Sequence, residues 1–204
     1  KNLESFKPES KSAVEYLVRT IDANPHAIEI IAIGPLTNIA SAINASPEFV
    51  KNVKRLWIMG GDFSQSKVEH NFKCDTTAAR IVLESQIPIS ILDLPNSQKT
   101  IIRMPEIDRI KDAPNLGPLL YSEIMSWIQP RNQDWTIPHD PIAALAMIAP
   151  EFFDTSPKGQ VSIDDDGKSF WKKSPSGKVT LLTPNDPEKA VERMLELITN
   201  CSRA

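Results

Sequence analysis

Polar residues suited to binding a polyhydroxylated ligand follow an apolar segment near the middle of the chain. Segment 53–59 predicts a strand, and Glu69 and Asn71 lie in the polar loop that follows it. A carboxylate and a carboxamide two residues apart supply both acceptors and donors, which sugar hydroxyls require. Taken alone, such a pair is most often solvated, so its meaning depends on what else reaches the same place.

The pair His139-Asp140 is a second candidate site, directly before the apolar segment 142–148. An imidazole can act as a general acid, and a carboxylate is a hard ligand for calcium or magnesium. Aspartate is also an ordinary helix N-cap and histidine an ordinary loop residue. The structural and the chemical interpretations of this pair therefore both stay open.

Several other residues have structural interpretations that are at least as good as chemical ones. Asp75 begins a predicted helix and is expected to cap it. The acidic run 164–166 precedes a glycine, which predicts a hairpin turn rather than a metal site. Cys74 is expected to be buried and inert. Trp127 and Trp135 are expected to pack in the core, although they could form a flap over a planar base.

The elements that must position these residues alternate between strand and helix. Strands are predicted at 28–33, 53–59, 88–94, 161–163 and 179–182. Helices are predicted at 13–21, 36–45, 46–51, 75–85, 105–111, 116–128 and 142–148, with a last helix capped by Asn185 or Asp186. Residues 62–74 are predicted to form a loop. This alternation predicts a parallel sheet, whose carboxyl edge would collect the residues that follow Ile33, Met59 and Leu92.

Composition narrows the classes of partner. The 204 residues are 41% hydrophobic and 24% charged, as in a folded domain, and the net charge is -3. No basic tract suggests a nucleic-acid partner, and no apolar run is long enough to cross a membrane. The two cysteines lie far apart, which favours a reducing compartment and a cytoplasmic location.

Four motifs, taken together and in order, resemble the inosine-uridine-preferring nucleoside hydrolase family. They are Ile-Ala-Ile-Gly-Pro-Leu-Thr-Asn-Ile-Ala at 31–40, Trp-Ile-Met-Gly-Gly at 57–61, Glu-His-Asn at 69–71 with Asp75, and His-Asp-Pro at 139–141. The resemblance runs from about residue 13 to the C-terminus. It implies an α/β fold: an open, mostly parallel, Rossmann-like sheet with helices on both faces, lacking its first strands, plus a C-terminal β-hairpin and helix.

The resemblance also implies an activity, which is hydrolysis of the N-glycosidic bond of ribonucleosides with the help of one bound Ca²⁺. A homo-oligomer is expected as well. The residue roles that it implies are base protonation by His139, sugar contact by Met59, ribose-hydroxyl contact by Glu69 and Asn71, and calcium binding by the Asp140 carboxylate and the Ile33 backbone carbonyl. The base-facing residues are expected within 95–137, where the sequence does not specify a preferred nucleoside.

One family motif is absent from these residues. The Asp-x-Asp-x-x-x-Asp-Asp cluster, which carries most of the metal carboxylates and the general base, occurs nowhere in the chain. Residues 1–204 are therefore expected to be a single nucleoside-hydrolase-like domain truncated at its N-terminus and inactive alone. The alternative is a non-catalytic relative that acts as a riboside-binding or oligomerisation module. A more remote hypothesis is a metal-dependent hydrolase that uses His139 and Asp140 on another substrate.

Overall fold

A computed structural model describes residues 10–64 and 67–200 of the chain. The strands are β1 Glu29–Ala32, β2 Arg55–Met59, β3 Ile89–Leu92, β4 Ile102–Arg103, β5 Trp135–Thr136, β6 Phe153–Thr155, β7 Gly159–Ile163, β8 Ser169–Lys173 and β9 Val179–Pro184. The helices are α1 Ala13–Ala23, α2 Thr37–Ala45, α3 Pro47–Asn52, α4 His70–Cys74, α5 Thr76–Leu83, α6 Leu94–Ser97, α7 Met104–Lys111, α8 Gly117–Ile128, α9 His139–Ile148 and α10 Pro187–Thr199.

The main sheet has the strand order β1-β2-β3-β9-β7-β8, with β6 pairing along the outer half of β9. The first four strands in this order are parallel, and β6, β7 and β8 join in antiparallel pairs. Strands β4 and β5 form a separate two-stranded pair. The predicted α/β fold is therefore confirmed, including the C-terminal hairpin and the last helix.

Helices cover both faces of the parallel strands because alternate strand residues point to opposite sides. In β2, Leu56 and Ile58 belong to one apolar core, which helices α1, α2, α3 and α5 complete. Trp57 and Met59 face the second core, which is built with α7, α8, α9 and α10. Each face thus buries one layer of helices, as the near-continuous apolar runs of parallel strands require.

Several elements differ between the sequence prediction and the structure. The apolar run 28–33 is typical of a buried strand, but every residue of β1 is half-buried, since among the described strands β1 has a neighbour on one side only. Residues 70–74 form the helix α4 inside a predicted loop. Helix α9 begins at His139, three residues earlier than predicted. In the part of the chain that the structure describes, no helix is long and apolar enough to span a membrane.

Candidate active site

The carboxyl ends of the parallel strands bring the candidate residues to one edge of the sheet. Met59 ends β2 and pairs in register with Leu92, which ends β3. Ile33 directly follows β1 and is 47% exposed. Helix α9, which packs on β1 and β2, begins at this edge with His139 and Asp140. The topology therefore explains why residues more than a hundred positions apart share a neighbourhood.

Glu69 is buried and caps helix α4. Its Oε1 accepts a hydrogen bond of 2.8 Å from the Asn71 backbone N–H, and its Oε2 accepts bonds from the N–H groups of Phe72 at 3.1 Å and Gly61 at 2.9 Å. The side chain is 4% exposed, so the solvated interpretation of Glu69 is wrong. A carboxylate offers about four acceptor positions, and three are used by these backbone donors. Glu69 thus fastens α4 to the turn that follows β2.

The Asn71 side chain contacts Met59, the last residue of β2. Its Nδ2 donates a hydrogen bond of 3.0 Å to the Met59 carbonyl and lies 3.6 Å from the Met59 sulfur. Among the described residues, the side-chain oxygen of Asn71 has no hydrogen-bond donor. Met59 itself is 4% exposed and belongs to the core beneath the site. The Glu69–Asn71 pair is therefore one rigid unit with the end of β2.

Close packing of Phe72 against Gly60 also holds α4 against the end of β2. A Cβ placed on Gly60 would lie 2.5 Å from Cε1 of Phe72, closer than such atoms can approach. Gly61 adopts φ +80°, a left-handed conformation that favours glycine. Phe72 is fully buried. The two glycines therefore allow the aromatic ring of α4 to pack directly on the turn after β2.

His139 is half-buried and held through one ring nitrogen. Ser97 Oγ lies 2.9 Å from the Leu94 carbonyl oxygen and 2.7 Å from His139 Nδ1. The tautomer of His139 decides whether Ser97 Oγ donates to Nδ1 or accepts from it, and in either case Ser97 engages Nδ1. The other ring nitrogen, Nε2, is then the atom at which a proton can be gained or lost.

The electrostatics of His139 and Asp140 reflect their burial. Burial lowers the pKa of His139, and the nearby carboxylates of Asp140 and Glu69 oppose that lowering. Burial raises the pKa of Asp140, an effect that His139 opposes and Glu69 reinforces. The N-terminus of α9, which has no side-chain cap, favours negative charge at Asp140. Burial is thus the main cause of both pKa shifts, and His139 and Asp140 each partly offset the shift of the other.

A cavity of about 520 Å³ adjoins His139 and is lined by Trp127, Arg131, Gln133, Trp135, Thr136 and Ile137. The Arg131 guanidinium carbon lies 3.4 Å from the centre of the Trp127 ring, and its Nη1 donates a hydrogen bond of 2.6 Å to the Trp127 carbonyl. Trp127 is 56% exposed, so the prediction that it packs in the core is wrong. Helix α8 buries only Gly117 and Ile128 and leaves Trp127 beside this cavity.

Two buried carboxylates at the same edge were not singled out by sequence reasoning. Asp62 is 1% exposed, and its carboxylate accepts hydrogen bonds from the backbone N–H groups of Ser64 and Lys67 at 2.9 and 3.0 Å. Asp93, 3% exposed, caps α6 through the N–H of Asn96. Burial raises the pKa of Asp93, which Asp62 increases further. The usable signal was Asp-x-Ser at 62–64, a pattern typical of a side chain that organises its own loop.

The smaller structural predictions have mixed outcomes. Asp75 caps α5 as predicted, because its carboxylate accepts a hydrogen bond of 2.9 Å from the Ala78 N–H. It also accepts a hydrogen bond of 2.6 Å from the Thr37 hydroxyl. Residues 164–166 do form a turn, and Asp165 pairs with Arg80 at 2.8 Å. Cys74 is exposed rather than buried, because α4 turns its last residue outward, and its sulfur lies 3.4 Å from His70 Nε2.

The residues present do not make a calcium site by themselves. Ca²⁺ takes about six to eight oxygen ligands. Asp140 and the Ile33 carbonyl would supply two. In residues 10–64 and 67–200, no group of three or more His, Cys, Asp or Glu side chains is placed to hold a metal ion. Any calcium bound at this edge therefore needs further ligands.

Comparison with known proteins identifies the relatives of this chain. The chain is 30% identical over 174 residues to the pyrimidine-specific ribonucleoside hydrolase RihA of Salmonella paratyphi B, covering 80% of this chain and 56% of that protein. It is 29% identical over 174 residues to RihA of Citrobacter koseri, covering 80% of this chain and 55% of that protein. The chain thus spans about half the length of these curated relatives.

Solved structures share the fold. A plant nucleoside hydrolase superposes with a TM-score of 0.86 at 22% identity, covering 97% of this chain and 70% of that one. The purine-preferring ribonucleoside hydrolase from Gardnerella vaginalis gives a TM-score of 0.83 at 21% identity, covering 96% of this chain and 67% of that one. The sequence profile described as inosine-uridine preferring nucleoside hydrolase matches residues 1–192. The chain therefore belongs to the inosine-uridine preferring nucleoside hydrolase family.

Proposed function

We propose that the complete protein hydrolyses the N-glycosidic bond of ribonucleosides and releases ribose and free base. The observation that carries this proposal is the position of His139. Its Nδ1 is held by Ser97, which leaves Nε2 for proton transfer, and a cavity with two tryptophans adjoins the ring. A planar base in that cavity would receive a proton from Nε2 as the bond to ribose breaks.

Stacking and charge suit the cavity to a departing base. Trp127 and Trp135 offer aromatic surface, and Gln133 offers an amide that can both donate and accept hydrogen bonds. The guanidinium of Arg131 forms no ion pair with a carboxylate among the described residues, so its charge would stabilise the electron density that the base gains on leaving. These side chains would hold the base, and His139 would complete its release.

The ribose is assigned to the end of β2. The remaining acceptor position of Glu69 and the side-chain oxygen of Asn71 are both suited to ribose hydroxyl donors, with Met59 under the ring. These side chains are rigid before the substrate arrives, because backbone hydrogen bonds already fix them. Such pre-organised contacts can strengthen selectively as the ribose flattens toward an oxocarbenium ion.

Calcium belongs to the proposal for the complete protein only. Asp140 and the Ile33 carbonyl would contribute two oxygens, and the remaining ligands would come from outside the described residues. When bound, such an ion favours loss of a proton from its water. A homo-oligomer remains a prediction.

The test is release of free base from uridine and inosine by the full-length protein. His139→Ala is expected to lower kcat by about 10²- to 10⁴-fold, the range for loss of a general acid. His26→Asn is the control, since His26 is exposed and its φ of 60° suits asparagine. Undiminished base release by His139→Ala would contradict the role of the imidazole.

A non-catalytic riboside-binding or oligomer-forming module is the alternative, favoured by the missing carboxylate cluster among the described residues. Calorimetric titration of the full-length protein with uridine separates the two functions. Binding without any base release, in the presence of calcium, would support the module and refute the hydrolase.

A further inference from the structure

A second cavity lies at the amino edge of the parallel strands, away from His139. It has a volume of about 510 Å³. Arg55 begins β2, Pro88 precedes β3 and Lys178 precedes β9, so the cavity lies where these strands begin. Ala146, near the C-terminus of α9, and Pro150, two residues beyond that helix, also line the cavity. None of the residues assigned to the proposed active site lines this cavity.

The walls of this cavity carry three positive charges and no negative one. Its cationic residues are Arg55, Lys158 and Lys178, and none of its lining residues is acidic. Within residues 10–64 and 67–200, none of the three forms an ion pair with a carboxylate. Glu29, the carboxylate that Arg55 influences, is engaged by Lys54 at 2.7 Å and Trp57 Nε1 at 2.6 Å. Glu29 therefore compensates Arg55 in part, and the two lysines carry the remaining positive charge of the cavity without a carboxylate partner among the described residues.

A buried polar network holds Arg55 in place. Its Nη1 donates a hydrogen bond of 2.8 Å to Ser90 Oγ, and Ser90 Oγ lies 3.2 Å from Thr180 Oγ1. Ser90 is 1% exposed and interrupts the apolar sequence of β3, Ile-Ser-Ile-Leu. A hydroxyl at such a position breaks the apolar pattern of a buried strand, and departures of this kind concentrate at functional sites. One of the five N–H groups of Arg55 is used by Ser90, which leaves four for a ligand.

The rest of the wall is apolar and partly aromatic. The apolar lining residues are Trp57, Pro88, Ala146, Pro150, Phe153 and Leu182. A ligand that matches both parts of the wall has a compact anion at one end and a flat or apolar group at the other. Guanidinium and ammonium groups together bind phosphate well, since a phosphate monoester carries nearly two negative charges at neutral pH.

We propose that this cavity is a binding site for a small organic phosphate monoester, of the size of a nucleoside 5′-monophosphate. Arg55, Lys158 and Lys178 contact the phosphate, and the ring of Trp57 contacts the organic group. The site is independent of the proposed hydrolysis, because it shares no lining residue with the cavity beside His139.

The test is calorimetric titration of the full-length protein with 5′-AMP, inorganic phosphate and adenosine. We expect saturable one-to-one binding of 5′-AMP, at least about tenfold tighter than that of either phosphate or adenosine. The Lys158→Gln and Lys178→Gln variants change exposed side chains, and each is expected to weaken 5′-AMP binding by about tenfold. Lys168→Gln, at the tip of the β7–β8 hairpin, removes the same charge outside the cavity and is expected to leave the affinity unchanged.

Arg55→Gln provides the strongest test, with circular dichroism to confirm that the variant folds. Loss of 5′-AMP binding in folded Arg55→Gln would support the site. Absence of saturable 5′-AMP binding in the unaltered chain would overturn the proposal. So would equal weakening by Lys168→Gln, which would indicate general charge attraction. Equal affinity for adenosine would place binding elsewhere, and equal affinity for inorganic phosphate would refute a role for the apolar wall.

Discussion

Charged side chains are held in different ways at the two edges of the parallel sheet. The carboxyl edge holds the acidic residues Asp62, Glu69, Asp93 and Asp140, and the amino edge holds the cationic residues Arg55, Lys158 and Lys178. Three of the four carboxylates are almost fully buried, and backbone N–H groups satisfy them. Two of the three cations are exposed lysines. Backbone hydrogen bonds therefore hold the carboxylates of the acidic edge, whereas the lysines of the basic edge are exposed to solvent and to ligands.

Within the acidic edge, Asp140 differs from its neighbours because it is only half-buried and accepts no backbone hydrogen bond in the described structure. We expect its role to be chemical. In the full-length protein, Asp140→Ala should lower the rate of base release from uridine or inosine by about 10³-fold, or about 4 kcal/mol of activation free energy. Asp154→Ala removes an exposed carboxylate of β6 and should leave the rate unchanged. Equal rates for both variants would erase the distinction between Asp140 and an ordinary surface carboxylate.

Glu69 has a structural role beside its proposed ribose contact, since its carboxylate accepts hydrogen bonds from three backbone N–H groups. Glu69→Ala should lower the free energy of unfolding of this chain by about 3 kcal/mol, because buried donors lose their acceptor. Urea denaturation measures the loss. The control is Glu106→Ala, which removes a single exposed bond to the Arg103 N–H and should cost less than about 1 kcal/mol. The assignment of Glu69 as a structural anchor fails if the two variants are equally stable.

Replacing Asp75 is expected to have the smallest of these effects, a loss of unfolding free energy that depends on pH. Hydrogen bonds from the Thr37 hydroxyl and then the Ala78 N–H lower the pKa of Asp75. Because the folded pKa lies below the unfolded one, ionised Asp75 stabilises the fold above the unfolded pKa, and this contribution is lost as pH falls through the folded pKa. Asp75→Ala should therefore cost about 1 kcal/mol at pH 7, and progressively less below about pH 4, in urea denaturation.

Thr37→Val is the matched partial change. It removes one of the two hydrogen bonds to Asp75 and keeps the helix cap at Ala78. Its destabilisation at pH 7 should be smaller than that of Asp75→Ala and should fade over the same pH range. A loss of stability for Asp75→Ala that is constant from pH 7 to pH 3 would show that the charge contributes nothing.

Sequence periodicity predicted the strands that are buried on both faces. Strand β3 is fully buried between β2 and β9, and its apolar run made it easy to recognise. The hairpin turn before β8 was predicted but the bounds of β8 were not, because Ser169–Lys173 mixes aromatic and charged residues and pairs only with β7. Helix α4 was missed because five residues are too few for a periodic pattern, and its stability comes from the Glu69 cap.

The candidate site was predictable as a set of positions but not as an environment. The order of strands predicted that Met59 and the loop after it lie at the carboxyl edge, whereas His139 was assigned to the site only through the family resemblance. Burial of Glu69, the bond between His139 and Ser97, and the exposure of Trp127 depend on three-dimensional packing. No local pattern contains that information.

The contact between Gly60 and Phe72 has a consequence for how this family can vary. A side chain at position 60 and a phenyl ring at position 72 would occupy the same space, since the added Cβ would lie 2.5 Å from the ring. Position 60 therefore cannot gain a side chain while position 72 is phenylalanine unless the ring or helix α4 moves. Aligned relatives should carry residues larger than glycine at position 60 only where position 72 is smaller than phenylalanine. Substitutions at position 60 are therefore expected to depend on the residue at position 72.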